Sequence, residues 1–159
     1  VSRVTVREAL PADADAFAAL LRALNEEPGL APEAITPERV TRDLIADPRA
    51  LVLVAERDGA IVGLATAHPT YDSGQSRWTL FMNDLYVVPA ARRQGVARAL
   101  VACVAAAAKA AGCTGIWWNA DEGDELALSF HRTLGATQAI VTDFLLDGVA
   151  FERLTEQAA

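Results

Sequence analysis

Two apolar runs, Leu51-Val52-Leu53-Val54-Ala55 and Ala60 to Ala67, stand on either side of Asp58-Gly59. An Asp-Gly pair between apolar runs is the strongest short hairpin signal, because both residues tolerate the positive φ of the turns that suit twisted strands. The sheet is therefore at least partly antiparallel. Around this hairpin the chain alternates short strands and helices. Val4 to Arg7 reads as a first strand. Pro11 to Asp13 then leads into a helix whose Phe17, Leu20, Leu21 and Leu24 recur at helical spacing. Thr36-Pro37-Glu38 is a start signal, with Thr36 as cap, Pro37 in the first turn, and Val40, Leu44 and Ile45 facing inward; Pro48 ends that helix. Downstream the pattern predicts a polar loop at Tyr71 to Ser76, a strand over Thr79 to Val88 and an Ala-rich helix over Val96 to Ala111. A strand over Thr114 to Asn119 and a helix over Asp124 to Leu134, stopped by Gly135, follow. Ala139 to Leu146 and Val149 to Leu154 read as a second hairpin around Asp147-Gly148.

A chain of 159 residues, 52% of them hydrophobic, suits one domain with a sizeable core, so residues 1–159 are expected to form a single domain. A net charge of -7 argues against non-specific nucleic-acid binding and against attraction to anionic membranes, and favours a cationic substrate. No apolar stretch reaches the roughly 18 to 20 residues of a membrane span, and Val1-Ser2-Arg3-Val4 lacks a signal-peptide core, so a cytoplasmic protein is expected. Cys103 and Cys113 have no His or second Cys at metal spacing, so structural thiols and no metal are expected.

Against this acidic background Arg92, Arg93 and Arg98 cluster around Arg92-Arg93-Gln94-Gly95-Val96-Ala97, between the run Leu85-Tyr86-Val87-Val88 and a helix. A strand, a glycine-bearing turn and a helix start present backbone N–H groups and a positive dipole end to one spot, which suits a phosphate. An Arg pair is commonly a solvated surface feature; Pro89, the strand and the glycine favour the anion turn here. Trp117 and Trp118 occupy adjacent strand positions, so one is expected in the core. Asp121, Glu122, Asp124 and Glu125 complement a helix N-terminus as readily as they bind a substrate. His131 reads as surface or structural more readily than catalytic. No Gly-x-x-x-x-Gly-Lys-Ser/Thr and no early Gly-x-Gly-x-x-Gly occurs.

Arg92-x-x-Gly95-x-Ala97 after Val87-x-Pro89 resembles the acetyl-coenzyme-A signature of the GNAT superfamily of N-acetyltransferases, Gln/Arg-x-x-Gly-x-Gly/Ala. Asp124-x-x-Ala127-x-x-Phe130-His131-x-x-x-Gly135 is similar to that superfamily's second motif, Asn-x-x-Ala-x-x-Phe-Tyr-x-x-x-Gly. Order and spacing match, and the resemblance extends to the opening Arg7-x-Ala9-x-x-x-Asp13. Within the superfamily, Tyr71-Asp72 and Leu80 to Val87 look most like the diamine and polyamine acetyltransferases, with Asn83 in place of a glutamate and His131 in place of a tyrosine.

The resemblance implies an α/β (α+β) fold: a mixed, mostly antiparallel sheet of six to seven strands with about four helices, in a homodimer with the terminal hairpin as a contact. It implies acetyl-CoA as cosubstrate and a small-molecule primary amine, such as a diamine, an amino acid or an amino sugar, as acceptor. The backbone of Leu85, Tyr86 and Val87 would pair with the pantetheine arm. Arg92, Arg93, Gln94, Gly95, Val96, Ala97 and Arg98 would cradle the pyrophosphate, with Asp124 and His131 also on the cofactor. Gly95 is expected because a side chain there would block close approach. Glu26, Glu27, Tyr71, Asn83 and Asp84 would form the acceptor side. An aliphatic amine must lose a proton before attack, and the favoured route is a water relay with Asp84 and Glu27 shaping the field. His131 would serve the leaving thiolate. The alternatives are a non-catalytic acyl-CoA sensor or interaction module, and a protein lysine or N-terminal acetyltransferase.

Overall fold

A computed structural model describes residues 3–158. The chain divides into two compact units, residues 1–121 and 122–159.

The first unit is built on a five-stranded sheet in the order β1-β2-β3-β4-β5, formed by Thr5–Glu8, Leu51–Arg57, Ala60–Asp72, Arg77–Val87 and Ile116–Trp117. β1 to β4 are antiparallel neighbours, and β5 joins β4 in parallel through Leu80↔Ile116 and Phe81↔Trp117. The hairpin forms where the sequence places it: Asp58 (φ 53) and Gly59 (φ 77) turn the chain between β2 and β3. Helix α1 (Ala14–Leu24) and helix α2 (Pro37–Val40), which runs on as a π-turn over Thr41–Ile45, cover one face of the sheet. Phe17, Leu20, Leu21 and Val40 pack there on Val52, Val54 and Leu64. Thr36 caps α2, its Oγ1 accepting Arg39 N at 3.3 Å. Helix α3 (Val96–Ala110) buries Val96, Leu100 and Val104. Gly63 lies under it with no room for a side chain: a Cβ would stand 2.9 Å from Tyr86 O and 3.2 Å from Leu100 Cδ1. Arg7 ties β1 to the entry of α1 through both carboxylate oxygens of Asp13, at 2.7 and 3.0 Å.

Two bulges set the phase of the sheet. Ala55 faces Gly63 while Glu56 faces Ile61, so Val62 is an extra residue on β3. Thr66 faces Asp84 while Ala67 faces Met82, so Asn83 is an extra residue on β4.

The second unit holds helix α4 (Glu125–Thr133) and helix α5 (Gly148–Thr155). Asp124 Oδ1 accepts Ala127 N at 3.0 Å, the capping role open to that acidic cluster, and Gly135 (φ 78) follows the helix.

The α/β class holds, with five strands rather than six or seven and five helices rather than about four among the described residues. The strand expected over Thr114 to Asn119 contracts to Ile116–Trp117. Neither tryptophan is buried: Trp117 is half exposed and Trp118 intermediate. The terminal hairpin does not form. Residues 136–147 carry no regular element, and Asp147 O accepts Phe151 N (3.2 Å) at the start of α5 instead of closing a turn. Residues 148–155 satisfy their backbone groups locally as a helix, whereas a strand needs a partner that its own sequence does not supply. The cysteines are free thiols, Cys113 buried and Cys103 intermediate.

Candidate active site

β4 carries the site's geometry. Its pairing with β5 involves Leu80 and Phe81 only, so among the described residues its second edge is open from Met82 to Val87. Val88 N bonds to Val62 O at 3.0 Å, and antiparallel strands alternate inward and outward backbone groups. Tyr86 therefore exchanges hydrogen bonds with Leu64, whereas the N–H and C=O groups of Leu85 and Val87 point to the open edge. Of the three residues expected to pair along this edge, the register presents two. Tyr86 instead sends its side chain into the α1 core.

The turn that follows is tied down at several points. A 3-10 turn at Pro89–Ala91 leads to Arg92, whose Nε donates to Val87 O at 3.0 Å and whose guanidinium lies 5.8 Å from the Tyr86 ring centroid. Arg93 has a φ of 61 and Gly95 a φ of 81. Left-handed Arg93 and Gly95 flank Gln94, which is not left-handed, and such a change of hand from residue to residue turns successive N–H groups toward one side as an anion-binding concavity. The first intrahelical bond of α3 runs from Ala99 N to Gly95 O (3.0 Å), so the N–H groups of the first turn, from Val96 to Arg98, project from the helix end. A Cβ on Gly95 would meet nothing within 4 Å. Glycine is thus required by its φ rather than by crowding from the protein, and the open space in front of it fits an incoming phosphate.

On the α1 face, the bulge at Asn83 sets Asn83 and Asp84 on the side of β3 that carries Thr66 and His68. Thr66 Oγ1 donates to Asp84 Oδ2, and His68 Nδ1 lies 2.6 Å from Asn83 Oδ1. Burial pushes the Asp84 carboxyl above its ordinary range, with the Thr66 hydrogen bond opposing. Beside it an aromatic row extends outward, His68 to Phe81 at 5.7 Å and Phe81 to Trp117 at 5.0 Å between ring centroids. An ionisable carboxylate, polar groups and aromatic faces together suit a polyhydroxylated or cationic molecule.

Not every expected acceptor residue joins this face. Tyr71 falls on the opposite face of β3 by strand alternation, where its ring packs on Trp78 (5.3 Å) and its hydroxyl meets Ser76 Oγ (2.9 Å). Glu26 and Glu27 lie exposed just beyond α1, and neither makes a hydrogen bond or ion pair with Asp84. Thr66 and His68 were missed by sequence reasoning. Their place is set by cross-strand register, which no local signal carries. In the second unit, burial lowers the pKa of His131 below its ordinary range, and Asp124 partly opposes this. Among the described residues no group of His, Cys, Asp and Glu is placed to hold a metal, and no helix is long and apolar enough to cross a membrane.

The sequence model of the acetyltransferase (GNAT) family matches residues 17–136. The chain belongs to the GNAT acetyltransferase family. It is accordingly an acyltransferase with acetyl-CoA as donor. This GNAT chain is 35% identical over 138 residues to an aminoglycoside N(6')-acetyltransferase type 1 of Stenotrophomonas maltophilia, covering 84% of this chain and 86% of that one. Its fold is similar to the aminoglycoside N-acetyltransferase AAC(6')-Iy in complex with CoA, with a TM-score of 0.78, 22% identity and coverage of 91% and 95%. It also matches a ribosomal-protein-alanine N-acetyltransferase of Brucella melitensis, with a TM-score of 0.72, 21% identity and coverage of 92% and 100%. One GNAT fold thus serves small-molecule and protein acceptors, and fold alone does not choose between them.

Proposed function

We propose that this chain transfers an acetyl group from acetyl-CoA to a primary amine of a cationic small molecule, an amino sugar of the aminoglycoside kind foremost. The observation that carries the acceptor is the Asp84, Asn83, His68 and aromatic face beside β4, supported by the 35% identity to an aminoglycoside acetyltransferase. The polyamine resemblance rests on short stretches around Tyr71 and Leu80 to Val87, and Tyr71 faces away from Asp84. We therefore rank diamines below amino sugars.

In this reading the outward N–H and C=O groups of Leu85 and the outward N–H of Val87 hold the pantetheine arm as an added strand, while Arg92 keeps the Val87 carbonyl. The turn from Arg92 to Arg98 receives the pyrophosphate. The bound thioester supplies the acyl carbonyl, and an outward N–H of β4 stabilises the oxyanion that attack by the amine creates. Asp84 draws a proton from the ammonium, directly or through water, and its raised pKa brings it nearer the operating range of a general base. Glu27 contributes charge at longer range. His131 is the residue proposed to serve the departing thiolate, through an imidazole N–H. The family match spans both units, which supports reading residues 1–159 as one domain. A homodimer contact is proposed at residues 140–146, where Ile140 (89%), Phe144 (93%) and Leu145 (85%) are largely exposed.

The test is thiol release from acetyl-CoA by purified protein with aminoglycosides, diamines, amino acids and a lysine peptide. Amine-dependent release, fastest with an aminoglycoside, is the expected result. Release fastest with the peptide would overturn the small-molecule reading, and CoA binding with no amine-dependent release would favour the sensor.

A further inference from the structure

Arg57, the last residue of β2, has no part in the site as built above. The β3 bulge at Val62 re-phases the end of the hairpin, and Val62 O takes the N–H of Val88 (3.0 Å), which brings the hairpin beside the chain entering the 89–95 turn. There Arg57 Nη1 donates to Gln94 Oε1, and Gln94 Nε2 donates to Ala90 O at 3.0 Å. Gln94 is thus oriented at both ends of its carboxamide. It is also the residue between Arg93 and Gly95, whose φ values of 61 and 81 shape the concavity.

A left-handed arginine is an unfavourable backbone state that persists only where its surroundings impose it. The Arg57–Gln94–Ala90 chain is one such constraint, and Arg92 on Val87 O is another. Charge points the same way. Arg7, Arg42, Arg49, Arg77 and Arg132 each pair with a carboxylate, and Arg22 and Arg39 donate to the carbonyls of Ile35 and Ala34, whereas Arg57, Arg92 and Arg93 come together at one turn with no ion pair among the described residues. In a chain of net charge -7, guanidinium groups gathered at one turn without carboxylates match an anion supplied from outside.

We propose that Arg57 belongs to the phosphate site: it fixes the turn through Gln94 and adds its charge to the pyrophosphate of the bound cosubstrate. This rests on the reading of the 92–98 turn as the cosubstrate's phosphate site. Among the described residues the remaining N–H groups of Arg57 make no other hydrogen bond, leaving them for a phosphate oxygen.

Calorimetric titration of CoA, dephospho-CoA and pantetheine into wild type, Arg57→Ala and Arg57→Lys tests it. Arg57→Ala is expected to weaken CoA and dephospho-CoA by the same factor, about tenfold or more for one lost charged contact. Arg57→Lys, which keeps the charge and loses the fork, falls between. Pantetheine, which has no pyrophosphate, gives the same heat with all three proteins, and the melting temperature is unchanged. A loss confined to CoA would move Arg57 to the 3′-phosphate, and an equal loss with pantetheine would make it a general structural residue; either overturns the proposal. If wild type binds pantetheine as tightly as CoA, the phosphate reading of the turn itself fails. If wild type prefers CoA and Arg57→Ala keeps the full preference, only the role of Arg57 fails.

Discussion

Asp84 is a residue at which burial and chemistry oppose each other. Its folded-state pKa lies above the ordinary 3.8 because burial disfavours the charged form. The folded protein therefore holds this proton more tightly than the unfolded chain. Asp84 favours folding below pH 3.8 and loses that contribution as pH rises through its folded pKa. Asp84→Asn keeps an acceptor for Thr66 and removes the charge. It is expected to raise the melting temperature at neutral pH, with the gain fading as pH falls toward 3.8. The proposed base would be lost at the same time, with kcat falling about a hundredfold. Calorimetry across pH and steady-state rates check both halves, and an unchanged kcat would remove Asp84 from proton transfer.

At the scale of elements, the start of α3 makes a sharper demand than its composition suggests. Gly95 sits at a φ of 81 with open space around its missing Cβ. Gly95→Ala is therefore expected to cost about 1–2 kcal/mol through backbone strain alone. It should also weaken CoA binding, because the turn relaxes away from the left-handed state. Denaturant unfolding gives the first quantity and CoA titration the second; unaltered CoA affinity would separate this turn from the cosubstrate. What was legible in the sequence follows the same division. Asp58-Gly59, the Thr36 cap and the strand, turn and helix around Arg92 are local devices, each set by the φ or hydrogen-bond needs of a few neighbours. The bulges at Val62 and Asn83 were not legible, since an extra residue shows only against its partner strand. Because Asn83 shifts the phase, the side chains of Asn83 and Asp84 come to His68 and Thr66 together, and the His68–Asn83 contact could not be foreseen. The terminal hairpin failed for a related reason: the apolar alternation of residues 139–146 is a sound strand signal, but a strand needs a partner that its own sequence does not specify.

For the whole molecule, the apolar stretch at residues 139–146 is the feature to probe. Phe144→Asp is expected to shift the sedimentation of the proposed dimer to that of the monomer while the protein stays folded by circular dichroism. A monomer already present in the wild type would reject the dimer. The first unit has an exposed border of another kind along Met82 to Val87, where β4 has no neighbour past Phe81 among the described residues. A bare strand edge accepts any foreign strand that offers matching amide groups. Asp84 bears the one charge on this stretch, and it points to the α1 face instead of guarding the edge. The guard is Arg92, whose side chain occupies the Val87 carbonyl at the border's end. Before the cosubstrate arrives, resistance to strand-to-strand association along this border therefore depends on a guanidinium that belongs to the phosphate turn, so selection on cosubstrate binding and selection on solubility act on one side chain.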